Sequence, residues 1–173
     1  MNVYKKYIEE NKNRSSLGLS PKPISDANLL RDIIKLIKDV NHVERGNCIQ
    51  YLIYNVTPGT TSAASLKAKF LKEIILNDFL VEEISPDFAF ELLSHMKGGS
   101  SVKVLIDLAL GNNDYNARKA AIVLKSQVFL YEADMIRLEK AYADENIIAK
   151  DIINSYSKAE FFTELPKVDE EIK

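Results

Sequence analysis

The chain of 173 residues carries 23 lysines and arginines against 25 aspartates and glutamates, a formal charge of −2, and 46% of its residues are hydrophobic. This length suits one domain with a substantial core, and the composition is typical of a soluble globular protein. The near balance of charge excludes a global electrostatic attraction to nucleic acid or to an anionic membrane.

The scarcity of thiol and imidazole groups limits the metal chemistry that this segment can support. Cys48 is the single cysteine, which excludes an internal disulfide and fits a reducing cytosol. One thiolate is too few for an iron–sulfur cluster held by this segment alone, and His42 and His95 are too few for a zinc site. The start has no signal-peptide character, and no stretch approaches the roughly 20 apolar residues that span a bilayer. We therefore expect a cytoplasmic protein without a membrane segment.

The first elements follow from apolar periodicity and from turn residues. Residues 1–24 are predicted to form an amino-terminal helix and a linker stiffened by Pro21 and Pro23. Apolar residues then recur at three- and four-residue steps, which predicts an amphipathic helix with Ser25 as its N-cap. The apolar face of this helix comprises Leu29, Leu30, Ile33, Ile34, Ile37 and Val40.

The same periodicity predicts further helices along the middle of the chain. One follows Ser62, and another begins at Ser85-Pro86, where proline suits the first helical position. The segment Val102 to Leu110 is apolar nearly all round, interrupted only by Lys103 and Asp107, which are spaced to pair at i,i+4. A helix with so little polar surface is expected to be covered on several sides.

The carboxyl-terminal part is also predicted to be helical. A helix with a small-residue face runs from Ala117 to Val128, and others contain Met135 to Tyr142 and Ile148 to Ala159, the last ending near Pro166. Residues 51–56 and 127–131 are rich enough in β-branched and aromatic residues to form strands. Because each lies within helical pattern and lacks an evident partner strand, we interpret both as buried helix.

Helices joined by short turns pack as antiparallel hairpins, so the predicted fold is all-α. Successive hairpins can stack into a solenoid, which we favour over a compact bundle although no clean sequence repeat is visible. Periodicity alone leaves both arrangements open.

The paired glycines Gly98 and Gly99 raise the question of a phosphate-binding loop. Their surroundings lack the glycine and lysine order of a Walker-type loop, and Gly-Gly followed by Ser100 is typical of a helix stop with the next N-cap. We therefore interpret this stretch as a turn between helices. Residues 57–61 are likewise interpreted as a rigid turn.

Other polar residues are interpreted as structural. Lys67, Lys69 and Lys72 form a thin basic patch in which Lys69 and Lys72 share a helix face, and a solvated surface is the simpler explanation. His95 is expected to be a capping or partly buried histidine, and Cys48 a buried, inert thiol.

An ordered series of short motifs carries a family resemblance along nearly the whole chain. It runs through 20–24 (SPKPI), 58–60 (PGT), 67–71 (KAKFL) and 90–99 (FELLSHMKGG), and it continues at 120–124 and 156–166. This series resembles the amino-terminal region of the aconitase B family, the bacterial bifunctional aconitate hydratases and 2-methylisocitrate dehydratases. No single motif is specific, but the ordered set is hard to reach by chance.

The resemblance implies how the domains are arranged and which of them carry the catalytic residues. It implies a HEAT-like helical domain over residues 1–166, with the stack at 25–166, and a polar tail at 167–173 that begins a linker to a further domain. In the family a swivelling domain and a core carrying a 4Fe–4S cluster follow. The cluster cysteines, the serine base and the substrate-binding arginines have no counterpart in this chain. We expect an excised or truncated non-catalytic domain, inactive by itself.

The same resemblance implies that the domain supports the catalytic domains without taking part in the reaction itself. The domain is expected to pack on the catalytic core, to shape substrate access and to mediate dimerisation. Since citrate and its isomers are tricarboxylates, a helix start flanked by lysines would guide the anion. The candidate residues are Lys97, Gly98, Gly99, Ser100 and Lys103. The alternative is a stand-alone interaction module, including the RNA-binding role ascribed to some aconitases.

Overall fold

The computed structural model describes residues 3–127 and 131–158, and this part of the chain forms nine α-helices. The all-α prediction is therefore confirmed. The helices are α1 (Val3–Ser16), α2 (Ala27–Lys38), α3 (Arg45–Tyr54), α4 (Ser62–Ile75), α5 (Pro86–His95), α6 (Ser100–Ala109), α7 (Asp114–Leu124), α8 (Glu132–Ala143) and α9 (Ile147–Ser157). None of these helices is long and apolar enough to cross a membrane.

Capping side chains fix where several helices begin. Ser85 accepts a hydrogen bond from the backbone N–H of Phe88, and Pro86 opens α5 as predicted. The predicted N-cap Ser25 is wrong, because the side chain of Asp26 accepts from the Leu29 N–H instead. The Ser25 carbonyl accepts hydrogen bonds from the α4 amino terminus, so this serine joins two helices rather than starting one.

The helices pack as successive hairpins in two layers. Each pair α2–α3, α4–α5, α6–α7 and α8–α9 is in contact, so every short connection returns the chain beside the helix that it leaves. Across hairpins, α2, α4, α6 and α8 contact one another in order, while α5, α7 and α9 do so in the second layer. We call α2, α4, α6 and α8 the first layer. This arrangement is compatible with the expected HEAT-like solenoid.

Polar links between α2, α4 and α6 recur at one separation in sequence. The Ala27 N–H donates to Ser62 Oγ at 3.0 Å, and Lys38 contacts Glu73 at 2.8 Å. Lys72 contacts Asp107 at 2.9 Å, and in all three links the partners are 35 residues apart. The fold therefore contains a structural repeat of about this length.

Helix α1 and the linker cover the first hairpin. Tyr7 is buried and its hydroxyl donates to the Lys22 carbonyl at 2.8 Å. The linker continues into a parallel bridge between Ile24 and Val56, in which the Ile24 N–H donates to the Asn55 carbonyl at 2.7 Å. These bonds fasten the amino-terminal segment to the stack.

The two ambiguous segments have different outcomes. Residues 51–54 are helical as predicted, because they complete α3, but the prediction is wrong for Asn55 and Val56, which follow the helix. The helical prediction for 127–131 is wrong at its ends, since Gln127 and Tyr131 lie outside α7 and α8. Residues 128–130, like Ala159 and the predicted domain boundary at 166, lie outside the described residues.

The glycine pair forms a turn that packs on a second turn. Gly99 has φ 60° and ψ −127°, and a Cβ added there would lie 2.5 Å from the Gly59 carbonyl oxygen. The predicted N-cap Ser100 is wrong, because Gly99 occupies the cap position and Ser100 is the first helical residue. The turns at 57–61 and 97–100 thus require close backbone contact, which explains the glycine.

Replacing Gly99 by alanine is expected to destabilise the protein by about 1–3 kcal/mol, because the conformation is strained for an L-residue and the Cβ collides with backbone. Urea unfolding measures the change in the free energy of unfolding. Gly46→Ala is the matched control: Gly46 lies inside α3 with open space around it, so alanine is expected to stabilise by about 0.4–1 kcal/mol. Equal effects at the two positions would contradict the packing of the two turns.

Candidate functional site

A cleft of about 760 Å³ opens at the edge where first-layer helices begin. The N-caps of α4, α6 and α8 are Thr61, Gly99 and Tyr131, and all three residues line it. Aligned peptide dipoles make a helix amino terminus partially positive. Three such ends therefore face one cavity, together with several serine and threonine hydroxyls.

Three cationic side chains line the same cleft. Lys69 lies on α4, Lys103 on α6 and Arg137 on α8. Neither lysine forms an ion pair within residues 3–127 and 131–158, and both are exposed. Arg137 contacts Asp107 at 2.7 Å and Asp134 at 3.9 Å. Burial raises the pKa of Asp134, although Arg137 and Lys103 attract its charge.

The cations recur at a spacing that the sequence analysis missed. Positions 69, 103 and 137 are separated by 34 residues, and one further step back is Lys35 on α2. Since each hairpin repeat is about 35 residues long, this spacing places one cation on every first-layer helix. A search for charges at a constant long interval would have found the pattern.

The predicted site residues separate into two groups. Gly99, Ser100 and Lys103 line the cleft. Gly98 and Lys97 do not line it, and Lys97 is an exposed residue with φ 54° in the turn that follows α5. The described structure therefore brings the start of α6, rather than the whole turn, to the cavity.

Asp107 joins three first-layer helices beneath the cleft. The predicted pairing of Lys103 with Asp107 is wrong, because Lys72 at 2.9 Å and Arg137 at 2.7 Å bind this carboxylate. Burial raises the pKa of Asp107, but the hydrogen bonds from Lys72 and Arg137 outweigh burial and hold it below its ordinary value. The carboxylate thus stabilises the arrangement of α4, α6 and α8.

Asp107→Asn is expected to lower the free energy of unfolding at pH 7 by about 1–3 kcal/mol, because two charge-assisted hydrogen bonds are weakened. The folded-state pKa is depressed, so this contribution is present above the unfolded pKa and is lost as the pH falls through the folded pKa. Denaturant unfolding from pH 7 to pH 3 should show the wild-type advantage disappearing. Asp114→Asn, which removes an exposed pair with Arg118, should cost less than about 1 kcal/mol.

Lys67 differs from its neighbours in the predicted basic patch because it is buried, with 6% of its surface exposed. Its ammonium donates to the Ile53 carbonyl at 2.9 Å, in the last turn of α3. Burial lowers the pKa of Lys67 to about 8. The expectation of a solvated surface is therefore wrong for Lys67, which ties α4 to the carboxyl end of α3.

Lys67→Met gives a test of this buried amine through pH. Between pH 8 and the ordinary lysine value of 10.5 the unfolded wild type binds more protons than the folded protein, so its stability rises with pH. Over this pH range the free energy of unfolding of the wild type is expected to rise relative to that of Lys67→Met. Chemical denaturation at pH 7 and pH 10 measures the shift, and a constant difference would contradict the low pKa.

The two histidines do not meet at a common site. His42 accepts a hydrogen bond from the Glu44 N–H at 3.1 Å. His95 is exposed beside Glu91 at 3.7 Å, so the expectation that it is capping or partly buried is wrong. Cys48 is buried as predicted, and burial raises the pKa of its thiol.

Comparison with known proteins identifies the family to which this helical stack belongs. A profile of the family described as the aconitate B N-terminal domain matches residues 6–162. The chain belongs to this family. An aconitate hydratase B from Salmonella typhimurium is 34% identical over 169 residues, and one from Escherichia coli is 32% identical over 169 residues. Each alignment covers 98% of this chain but only 19% of the relative.

A third relative, aconitate hydratase B from Synechocystis, is 29% identical over 174 residues, which cover 99% of this chain and 19% of the relative. The aconitase B domain described by the structure thus corresponds to about a fifth of the length of these relatives. Its residues do not fit the family's iron–sulfur cluster, because its one cysteine is buried. No group of three histidine, cysteine or acidic side chains able to hold a metal occurs among the described residues.

Proposed function

We infer that this aconitase B domain serves an aconitate hydratase, a lyase that interconverts citrate and isocitrate and also dehydrates 2-methylisocitrate. The family match along nearly the whole chain is the observation that carries this proposal. The domain itself performs no bond chemistry in the proposal. Its role is to pack on the catalytic domains, which would hold the 4Fe–4S cluster in the cytoplasm.

The cleft supports a more specific role in substrate access. Its lysines, Lys69 and Lys103, are exposed cations in the cleft that the amino termini of α4 and α6 also line. A tricarboxylate carries several negative charges, so a local positive field would raise its concentration and its rate of encounter. Steering of this kind requires no tight binding site. We therefore propose that Gly99, Ser100 and Lys103 guide the anionic substrate towards the catalytic domains.

Dimerisation and RNA binding are two further roles that need their own tests. Dimerisation of the parent enzyme stays a prediction, which sedimentation equilibrium tests. An independent RNA-binding module is less favoured, because the family match supports an enzyme domain and the total charge is −2. RNA binding driven by phosphate contacts would be strongest at low salt.

The kinetic test uses this domain joined to the catalytic domains. Lys103→Ala is expected to lower kcat/KM for citrate by about twofold to fivefold at low ionic strength and to flatten its salt dependence, because a steering charge is lost. Lys97→Ala is the matched control, since it also removes an exposed lysine of the same region but does not line the cleft. Steady-state kinetics across a salt series measure both.

The outcomes separate the two parts of the proposal. Identical kcat/KM values and salt slopes for Lys103→Ala, Lys97→Ala and the wild type would contradict guidance by the cleft. A joined polypeptide with no aconitate turnover under anaerobic, iron-replete conditions would contradict the enzyme assignment itself.

A further inference from the structure

The positive charges of the cleft belong to a longer row. We define the cation row as Lys35, Lys69, Lys103 and Arg137, one residue on each of α2, α4, α6 and α8. Their spacing is 34 residues at every step. Because first-layer helices pack side by side in this order, the row crosses the whole layer from the first hairpin to the last.

The row lies on one face, as the contacts between helices show. Lys38 and Lys72 bridge neighbouring first-layer helices through Glu73 and Asp107. The row residues Lys35 and Lys69 precede these bridging lysines by three positions, and Lys103 precedes Asp107 by four. Residues three or four apart share a helix face. The three lysines of the row are therefore one turn nearer the helix amino termini than the bridging ion pairs, whereas Arg137 itself bridges α8 to Asp107 on α6.

The charge of the row is concentrated at its centre. Lys69 and Lys103 have no ion-pair partner in the described part of the chain, whereas the bridging cations are already neutralised. At the ends, Lys35 lies 3.9 Å from Asp32 and Arg137 contacts both Asp107 and Asp134. Two unpaired lysines flanked by partly compensated cations leave a net positive strip on a protein whose total charge is −2.

The dimensions of the row indicate the shape of its ligand. Packed helix axes lie about 8–10 Å apart, so three steps extend for roughly 30 Å. A tricarboxylate is too short to contact more than one or two of the cations. A peptide in the extended polyproline II conformation has three residues per turn and a rise of about 3.1 Å, so acidic side chains at every third position lie on one face at intervals of about 9 Å. This repeat matches the distance between neighbouring helices.

We propose that the cation row is a docking surface for an extended acidic segment of a partner protein, with aspartate or glutamate at about every third position. The carboxylates pair with Lys69 and Lys103 first, and the end cations extend the contact. Hydroxyls of Thr60, Ser65 and Ser100 line the same cleft and can donate to the peptide carbonyls. This surface includes Ser100 and Lys103, which are also proposed to guide the substrate. Peptide binding to this chain is measured without any enzymatic activity, so the two proposals can fail separately.

Single-stranded nucleic acid fits the same surface less well. Sequence-tolerant binding of single strands uses aromatic side chains on which bases stack. Tyr131 is the one aromatic residue among the described side chains that line the cleft. Four cations at 10 Å intervals also give few phosphate contacts. The observations therefore favour a peptide, and an oligonucleotide serves as a comparison ligand.

The test measures fluorescence anisotropy of labelled peptides mixed with this chain at low salt. One peptide carries glutamate at every third position among glycine and serine, and the other has the same composition with its glutamates clustered at one end. Lys69→Glu with Lys103→Glu is expected to weaken binding of the spaced peptide about tenfold or more, because two exposed ion pairs become repulsive. Lys5→Glu with Lys12→Glu changes the net charge equally on α1 and should change binding less than about twofold.

We expect the spaced peptide to bind more tightly than the clustered one. Only the variant with Lys69→Glu and Lys103→Glu should lose this tighter binding. Equal binding of both peptides, equal losses in the two variants, or tighter binding of an oligouridylate would each overturn the proposal. Since all four substituted lysines are exposed, circular dichroism and thermal unfolding should show that both variants retain the fold.

Discussion

The side-by-side contact of the first-layer helices is the constraint on which the rest of the structure depends. Apolar burial brings the helices together, but burial is non-directional and does not fix how far one helix slides along the next. The links Ala27–Ser62, Lys38–Glu73 and Lys72–Asp107 are directional, and each joins residues 35 positions apart. They hold α2, α4 and α6 at a constant register, and the Arg137–Asp107 ion pair then joins α8 to this stack.

A constant register has an electrostatic consequence. When first-layer helices begin at one edge, their partially positive amino termini gather there rather than being spread over the molecule. The same packing brings Lys69 and Lys103 of adjacent helices into one cleft. A protein with a slightly negative total charge thereby acquires a positive surface. The feature arises from the stacking and not from the composition.

The same packing explains why a glycine stands at position 99. A Gly-Gly stretch beside lysine and serine superficially suggests a loop that cradles a phosphate. In the structure Gly99 instead allows two turns to touch through their backbones, because any Cβ would collide with Gly59. The turn is thus part of the scaffold that positions the cleft.

The sequence by itself determined the helices, because amphipathic spacing and capping are local properties. Ser85-Pro86 opened α5 as predicted, and the apolar segment after Ser100 formed a buried helix. Only the tertiary structure decided that Asp107 binds Lys72 and Arg137 rather than Lys103, and that Lys67 is buried against the Ile53 carbonyl. Local periodicity reports partners three or four residues away. Partners some 35 residues away depend on the register between stacked hairpins, which no local pattern encodes.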